Sequence, residues 1–69
     1  MKKIIVLAGS RQQFKDYLAR NGLTDSQAVY GYEENILRGF EAEKVEAVGT
    51  FWERDDAVDL YEIAQSRVR

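Results

Sequence analysis

The chain has 69 residues and a net charge of −2, and it contains no cysteine and no histidine. This composition excludes disulfides, thiolate chemistry and the usual cysteine and histidine ligands of a structural metal site. The sequence pI near 5.0 argues against nucleic acid as a partner, and no apolar run is long enough to span a bilayer. We therefore expect a cytoplasmic protein without cofactor or metal.

The length predicts one domain over residues 1–69 with a thin stability margin. A domain of this size buries only about 60% of the surface that its unfolded chain exposes. Self-association would add buried surface, so a homo-oligomer is expected. Charge is unevenly distributed: residues 1–22 carry five basic groups and one acid, a net +4, which leaves −6 for the remainder. Three explanations of this asymmetry are open: it orients self-assembly, it attracts an anionic ligand to the amino-terminal loop, or it serves solubility alone.

The stretch KKIIVLAGSR at residues 2–11 predicts the central strand and the turn after it. Its four consecutive apolar residues are typical of a strand covered on both faces of a parallel sheet. Gly9 permits a tight turn, and Ser10 with Gln13 forms a capping-box pattern that predicts a helix start. The first amides of such a helix have no partner in the helix, and Arg11 adds a guanidinium suited to phosphate.

A helix is predicted over residues 11–21, because Phe14, Tyr17 and Leu18 share one face. Gly22 and Leu23 then match a Schellman ending. Residues 27–30 predict a second strand. Residues 33–38 favour a short helix, in which case Ile36, Leu37 and Phe40 pack against the sheet; a hairpin is the alternative.

Residues 44–48 predict a third strand, partly exposed because of its charges. Thr50 and Glu53 form a second capping-box pattern, which predicts a last helix starting there. The apolar positions of that helix predict a buried face; they are Ala57, Leu60, Tyr61, Ala64 and Val68. The element order is βαβαβα, and right-handed crossovers predict an α/β, minimal Rossmann-like fold with a three-stranded parallel sheet in the order 2-1-3.

All three predicted strands end in a glycine, followed by residues that suit ligand binding. Because parallel strands place their carboxyl ends at one edge of the sheet, these residues are expected to converge on a ligand crevice. The predicted ligand-binding residues are Gly9, Ser10, Arg11, Tyr32, Gly49, Thr50 and Trp52.

The run VLAGSR with its following helix resembles the first strand and loop of SLOG-type Rossmann-like proteins, relatives of the lysine-decarboxylase-like nucleotide processors. The resemblance covers residues 2–20 and implies binding of a nucleotide or a nucleotide-derived signal. The family's second glycine-rich phosphate loop is not present. The resemblance therefore does not imply hydrolase activity. It implies only a ligand-binding role for Gly9, Ser10 and Arg11.

Phe51 and Trp52 are adjacent aromatic residues at a strand-to-helix junction. Two adjacent rings cannot both point into the same small core. At least one of them is therefore predicted to be partly exposed or to pack against another subunit. The alternatives are base stacking, a subunit interface formed by both rings, or a lid over the core.

No catalytic pattern is present: Ser10 has no histidine to activate it, and no Walker lysine follows the glycine turn. The first hypothesis is non-catalytic binding or sequestration of a nucleotide-derived signal by a homo-oligomer, as in a phage accessory protein. The second is a protein-interaction module on a degenerate nucleotide-binding scaffold. The segments ILRGF and QSRVR resemble parts of the second RecA-like half of helicases, which implies a relic of that kind.

Overall fold

A computed structural model describes residues 3–39 and 41–68. Its centre is the strand β1 (Lys3–Ala8), which pairs in parallel with β2 (Ala28–Tyr30) and with β3 (Ala42–Val48). The sheet order β2-β1-β3 confirms the predicted topology. Residues 5–8 are all buried, as the continuous apolar run predicts for a strand covered on both faces.

Helices cover both faces of this sheet. The helix α1 (Arg11–Asn21) lies on one face, where Leu18 packs with Val6 and Ala28. The other face carries α2 (Glu34–Leu37), a 3₁₀ helix (Phe51–Glu53) and α3 (Ala57–Gln65). The fold is therefore a three-layer α/β arrangement, and each face of the sheet has its own apolar cluster.

The predicted end of α1 is confirmed in detail. Gly22 adopts the left-handed conformation, with φ 64° and ψ 30°. Its N–H donates to the carbonyl of Ala19, and the Leu23 N–H donates to the carbonyl of Leu18 at 2.9 Å. These two bonds define the Schellman motif, and Leu23 packs into the same apolar cluster as Leu18.

The short helix predicted between the second and third strands is also confirmed, and the alternative hairpin is wrong. The structure has α2 as four residues, with Leu37 fully buried against the sheet and Ile36 half-buried. Phe40, which was expected to pack beside them, lies outside the described residues. The segment thus serves as the crossover that parallel pairing of β2 and β3 requires.

The prediction for the start of the last helix is wrong. Thr50 precedes the separate 3₁₀ helix, and its side chain makes no capping bond there. The helix α3 begins only at Ala57, and Asp56 precedes it. The capping-box pattern failed because Glu53 ends the 3₁₀ turn, with its N–H donating to the Thr50 carbonyl at 3.0 Å.

The prediction that Val68 belongs to the buried face of the last helix is also wrong. Val68 lies beyond the end of α3 and is 36% exposed. It forms an isolated parallel bridge with Ala42 at the outer edge of β3. The strand β3 is two residues longer than predicted, and a register irregularity separates Ala42 from Lys44.

In the described ranges no helix has both the length and the apolar character needed to cross a membrane.

Candidate functional site

The carboxyl ends of β1 and β3 meet around the side chain of Gln13, which projects from the first turn of α1. The amide oxygen Gln13 Oε1 accepts hydrogen bonds from the Gly9 N–H at 2.8 Å and from the Thr50 N–H at 3.1 Å. Gln13 Nε2 donates to Thr50 Oγ1 at 3.1 Å. We call this arrangement of Gly9, Gln13 and Thr50 the Gln13 clamp. Within it, a side-chain oxygen of the protein occupies the position where a ligand oxygen was expected.

Two glycines leave the space that the Gln13 clamp needs. A Cβ atom on Gly9 would collide with Thr50 Oγ1 and lie 2.8 Å from Gln13 Oε1. A Cβ on Gly49 would collide with the Gln13 side chain, and its φ of 59° is a backbone conformation that favours glycine. The glycines at these two strand ends are therefore explained by packing around Gln13.

The start of α1 differs in one respect from the predicted capping box. The Gln13 N–H donates to Ser10 Oγ at 3.4 Å, and the Phe14 N–H donates to the Ser10 carbonyl at 3.2 Å. The Gln13 side chain, however, reaches Gly9 and Thr50 and not the Ser10 N–H that a capping box requires. Gln13 thus links two strand ends as well as beginning a helix.

A basic groove runs between α1 and the edge strand β2. Its volume is about 410 Å³, and its charged lining residues are Lys3, Arg11, Lys15 and Asp25. Three cations against one carboxylate give the lining a net charge of +2. Its aromatic lining residues are Phe14, Tyr30 and Tyr32, and we call this set of seven residues the α1–β2 groove.

The three rings of the α1–β2 groove form a continuous row. Phe14 and Tyr30 are stacked, with centroids 5.2 Å apart and planes at 15°. Tyr32 follows with its centroid 5.0 Å from that of Tyr30, at an interplanar angle of 48°. Tyr32 is the outermost ring and is 38% exposed, so it presents aromatic surface to solvent.

No similarity to a known protein assigns this groove. The chain matches no protein-family model, no curated protein and no solved structure.

Six of the seven predicted ligand-binding residues are divided among three places, and the seventh, Trp52, lies elsewhere. Arg11 and Tyr32 come together in the α1–β2 groove. Gly9 and Thr50 belong to the Gln13 clamp, with Ser10 at the adjoining helix start. Gly49 lines a separate hollow of about 260 Å³, whose charged residues Asp16 and Arg20 have opposite signs.

The aromatic pair after β3 lies on the other face of the sheet. Phe51 is fully buried in the core, where it offers no surface to a ligand or a second subunit. Trp52 is 56% exposed, and its ring lies 5.1 Å from those of Phe51 and Tyr61. The interface hypothesis therefore applies to Trp52 alone.

Arg54 holds the segment that carries Tyr32. Its guanidinium donates to the Tyr32 carbonyl at 2.9 Å and forms a two-pronged pair with Asp56, at 2.9 and 3.1 Å. A bidentate pair fixes the plane of the guanidinium, so this contact ties the end of β2 to the start of α3.

The groove residues missed from the sequence are Lys3, Phe14, Lys15, Asp25 and Tyr30. A signal for part of this set was present, because residues 11, 14 and 15 have the spacing of helix neighbours. Tyr30 and Tyr32 likewise have the two-residue spacing of side chains on one side of a strand. Nothing in the sequence indicated that these two sets face each other.

Proposed function

We propose that this protein binds a nucleotide-derived anion in the α1–β2 groove and does not transform it. The observation that carries the proposal is the combination of a row of three aromatic rings with a net positive lining in a groove of about 410 Å³. A nucleotide offers the two complementary parts, a flat base and an anionic phosphate. The resemblance of residues 2–20 to SLOG-type proteins supports the same class of ligand.

The cations of the α1–β2 groove suit the phosphate part. Arg11 and Lys15 are one helical turn apart on α1. The Arg11 guanidinium has no hydrogen bond or ion pair within residues 3–39 and 41–68, so its fork is available to phosphate oxygens. Both side chains are exposed, and we therefore assign each of them about 1 kcal/mol or less of binding free energy.

The aromatic row suits the base. Phe14 and Tyr30 stack on each other, whereas Tyr32 at the end of the row presents exposed ring surface. Stacking of a base on an aromatic side chain contributes about 1–3 kcal/mol. Tyr32 is therefore proposed as the stacking platform, and the Arg54 contact to its carbonyl keeps the segment in place.

The other two places are less suited to an anion. In the Gln13 clamp, the Gly9 and Thr50 N–H groups already donate to Gln13 Oε1, so a phosphate there would first have to displace that side chain. In the smaller hollow, the charges of Asp16 and Arg20 cancel. The phosphate is therefore proposed to bind on the α1 side of the α1–β2 groove.

The proposal includes no turnover because the groove lining contains neither a histidine nor a cysteine, the side chains most often used as general base or nucleophile. Its one carboxylate is Asp25, and its remaining ionisable side chains are lysines, an arginine and tyrosines. The chain as a whole has no histidine or cysteine.

The test is isothermal titration calorimetry with ADP-ribose, a cyclic dinucleotide and adenosine monophosphate as probes. Arg11→Ala is expected to weaken binding about 3- to 5-fold, the equivalent of about 0.7–1 kcal/mol. Tyr32→Ala is expected to weaken it about 5- to 150-fold, the equivalent of about 1–3 kcal/mol, because a stacking face is lost. Arg20→Ala on the same helix and Trp52→Ala on the other face are the matched controls and should leave affinity unchanged.

Absence of binding by all three probes would contradict the proposal. So would an equal loss of affinity in Arg11→Ala and Arg20→Ala, since that result would reflect overall charge. A loss in Trp52→Ala without a loss in Tyr32→Ala would move the site to the opposite side of the sheet.

The exposure of Trp52 favours the second candidate function, a protein-interaction module. A tryptophan that is 56% exposed, beside the half-buried Tyr61, is the type of residue that anchors protein interfaces. In that case none of the nucleotide probes binds, and Trp52→Ala abolishes association with the partner without lowering the melting temperature.

A further inference from the structure

The outer edge of β3 is open along most of its length. Within residues 3–39 and 41–68, only Ala42 has a backbone partner there: its N–H donates to the Arg67 carbonyl at 2.8 Å, and Val68 bridges it. Among the residues that the structure describes, none makes a backbone hydrogen bond to the outer side of residues 44–48. Open edge strands are the sites at which sheets of two chains join.

The pairing of β1 shows which groups of β3 face outward. The Ile4 N–H donates to Gln27, and the Val6 carbonyl accepts from Gly31, so these residues bond toward β2. The alternate residues Ile5 and Leu7 therefore bond toward β3, where they lie opposite Val45 and Ala47. In a parallel ladder the residue opposite a bonding residue directs its own N–H and C=O to the other side. Val45 and Ala47 thus present unpaired backbone groups to the outer edge.

The side chains of β3 are complementary to a second copy in one register. Antiparallel pairing about a two-fold axis at Val45 places Val45 opposite Val45 of the second copy. The same register places Lys44 of each copy opposite Glu46 of the other, so that two opposite-charge pairs form. A shift of two residues along the strand places Glu46 opposite Glu46, and a shift of one residue places Val45 opposite Glu46.

The backbone geometry agrees with this register. Because Val45 directs both its N–H and its C=O outward, the central pair exchanges two hydrogen bonds. Residues 44 and 46 then form the pairs without hydrogen bonds, in which side chains across two antiparallel strands approach most closely. Lys44 and Glu46 already lie 3.4 Å apart within one chain, with side chains 53% and 39% exposed, so both are accessible to a second copy.

We propose that two copies of this chain associate through β3, in antiparallel register about Val45, to form one continuous six-stranded sheet. Such an interface is isologous, as expected for a dimer with two-fold symmetry. Arg67 and Val68 occupy the edge at Ala42, which limits the ladder to residues 43–47. An interface of this size is small, so the dimer belongs to the weak, concentration-dependent class.

The proposal goes beyond ligand binding and does not depend on it. The strand β3 lies at one edge of the sheet, and the α1–β2 groove lies along the opposite edge strand. Association can therefore be measured without any nucleotide, and its failure would leave the proposed function unaffected.

The experiment is sedimentation equilibrium of the full chain at concentrations from about 10 µM to about 1 mM, the range in which small interfaces are populated. The wild-type chain is expected to show a monomer–dimer equilibrium. In Lys44→Glu each dimer would place acid opposite acid twice, and in Glu46→Lys base opposite base twice. Either substitution is expected to weaken dimerisation about 10- to 100-fold, because two attractive cross-strand pairs become repulsive.

The decisive sample is an equimolar mixture of the two variants. In the mixed dimer both cross-strand pairs are again of opposite charge. Heterodimers are therefore expected at concentrations at which neither variant alone forms homodimers. A wild-type chain that is monomeric over the whole range would overturn the proposal. Dimerisation unchanged in either variant would also overturn it and would indicate another surface, such as that around Trp52. Loss in both variants without recovery in the mixture would refute the register.

Discussion

Replacement of Gln13 by alanine tests whether the Gln13 clamp holds the two strand ends together. The substitution removes the one oxygen that accepts the N–H groups of Gly9 and Thr50, and the one amide that donates to Thr50 Oγ1. A typical hydrogen bond contributes about 0.5–1.5 kcal/mol net. These contacts are partly exposed, so water replaces some of what is lost. We therefore expect Gln13→Ala to lower the free energy of unfolding by about 1–2 kcal/mol.

The assay is urea denaturation followed by far-UV circular dichroism, together with thermal melting. A loss of this size lowers the melting temperature of a domain of 60–100 residues by about 4–16 °C. Gln12→Ala is the matched control, since Gln12 lies beside Gln13 and donates only to Asp16 Oδ1, at 3.0 Å on an exposed helix surface. Such a pair contributes about 0.2–0.5 kcal/mol. Equal losses in the two variants would refute a role for the Gln13 clamp in stability.

Three further predictions concern substitutions of Gly31, Gly22 and Gln13. Gly31→Ala would place a Cβ 2.7 Å from Leu37 Cδ2 in the core, so we expect a loss of about 1–3 kcal/mol in urea denaturation. Gly22→Ala, at φ 64°, should lose about 1 kcal/mol by the same assay, whereas Gly39→Ala, with open space around it, should change stability by less than about 0.5 kcal/mol. Gln13→Glu places a carboxylate where two N–H groups donate, which should hold the pKa of that carboxyl below its ordinary value. Its added stability should be present at neutral pH and lost as the pH falls through the folded-state pKa, as measured by melting at a series of pH values.

The fold was predictable because local pattern and global arrangement agree. The apolar run of β1 required cover on both faces, and the structure buries residues 5–8 completely. Gly22 and Leu23 specified the end of α1 through backbone geometry alone, which depends little on the rest of the chain. The continuous apolar run marked β1 as the central strand, and right-handed crossovers then placed β2 and β3 on its two sides, with helices on both faces.

The start of α3 was not predictable, because two helical conformations competed for the same residues. A capping pattern at Thr50 and Glu53 is compatible with an α-helix or with a single 3₁₀ turn. Burial of Phe51 in the core favours the 3₁₀ turn, which is followed by a break at Arg54. That choice depends on contacts with the sheet, which local sequence does not contain.

The candidate site depends even more than the fold on contacts between distant segments, which the sequence pattern does not specify. Arg11 and Tyr32 both line the α1–β2 groove, and parallel pairing of β1 with β2 explains why the residues that follow these two strands lie at one edge of the sheet. The contact of Gln13 with Thr50 was not foreseeable, because only the pairing of β1 with β3 brings together these two residues, which are 37 positions apart in the chain.

The sequence by itself determined the strand and helix order, the parallel sheet and the strong positive charge near the amino terminus, since these follow from periodicity, turn residues and composition. The tertiary structure alone decided that Gln13 fills the crevice at the strand ends and that cations of α1 face tyrosines of β2. It also decided that Phe51 is buried while Trp52 is exposed. The physical reason is that side-chain contacts between distant segments depend on packing across the sheet, and periodicity specifies which face a residue occupies but not what lies opposite it.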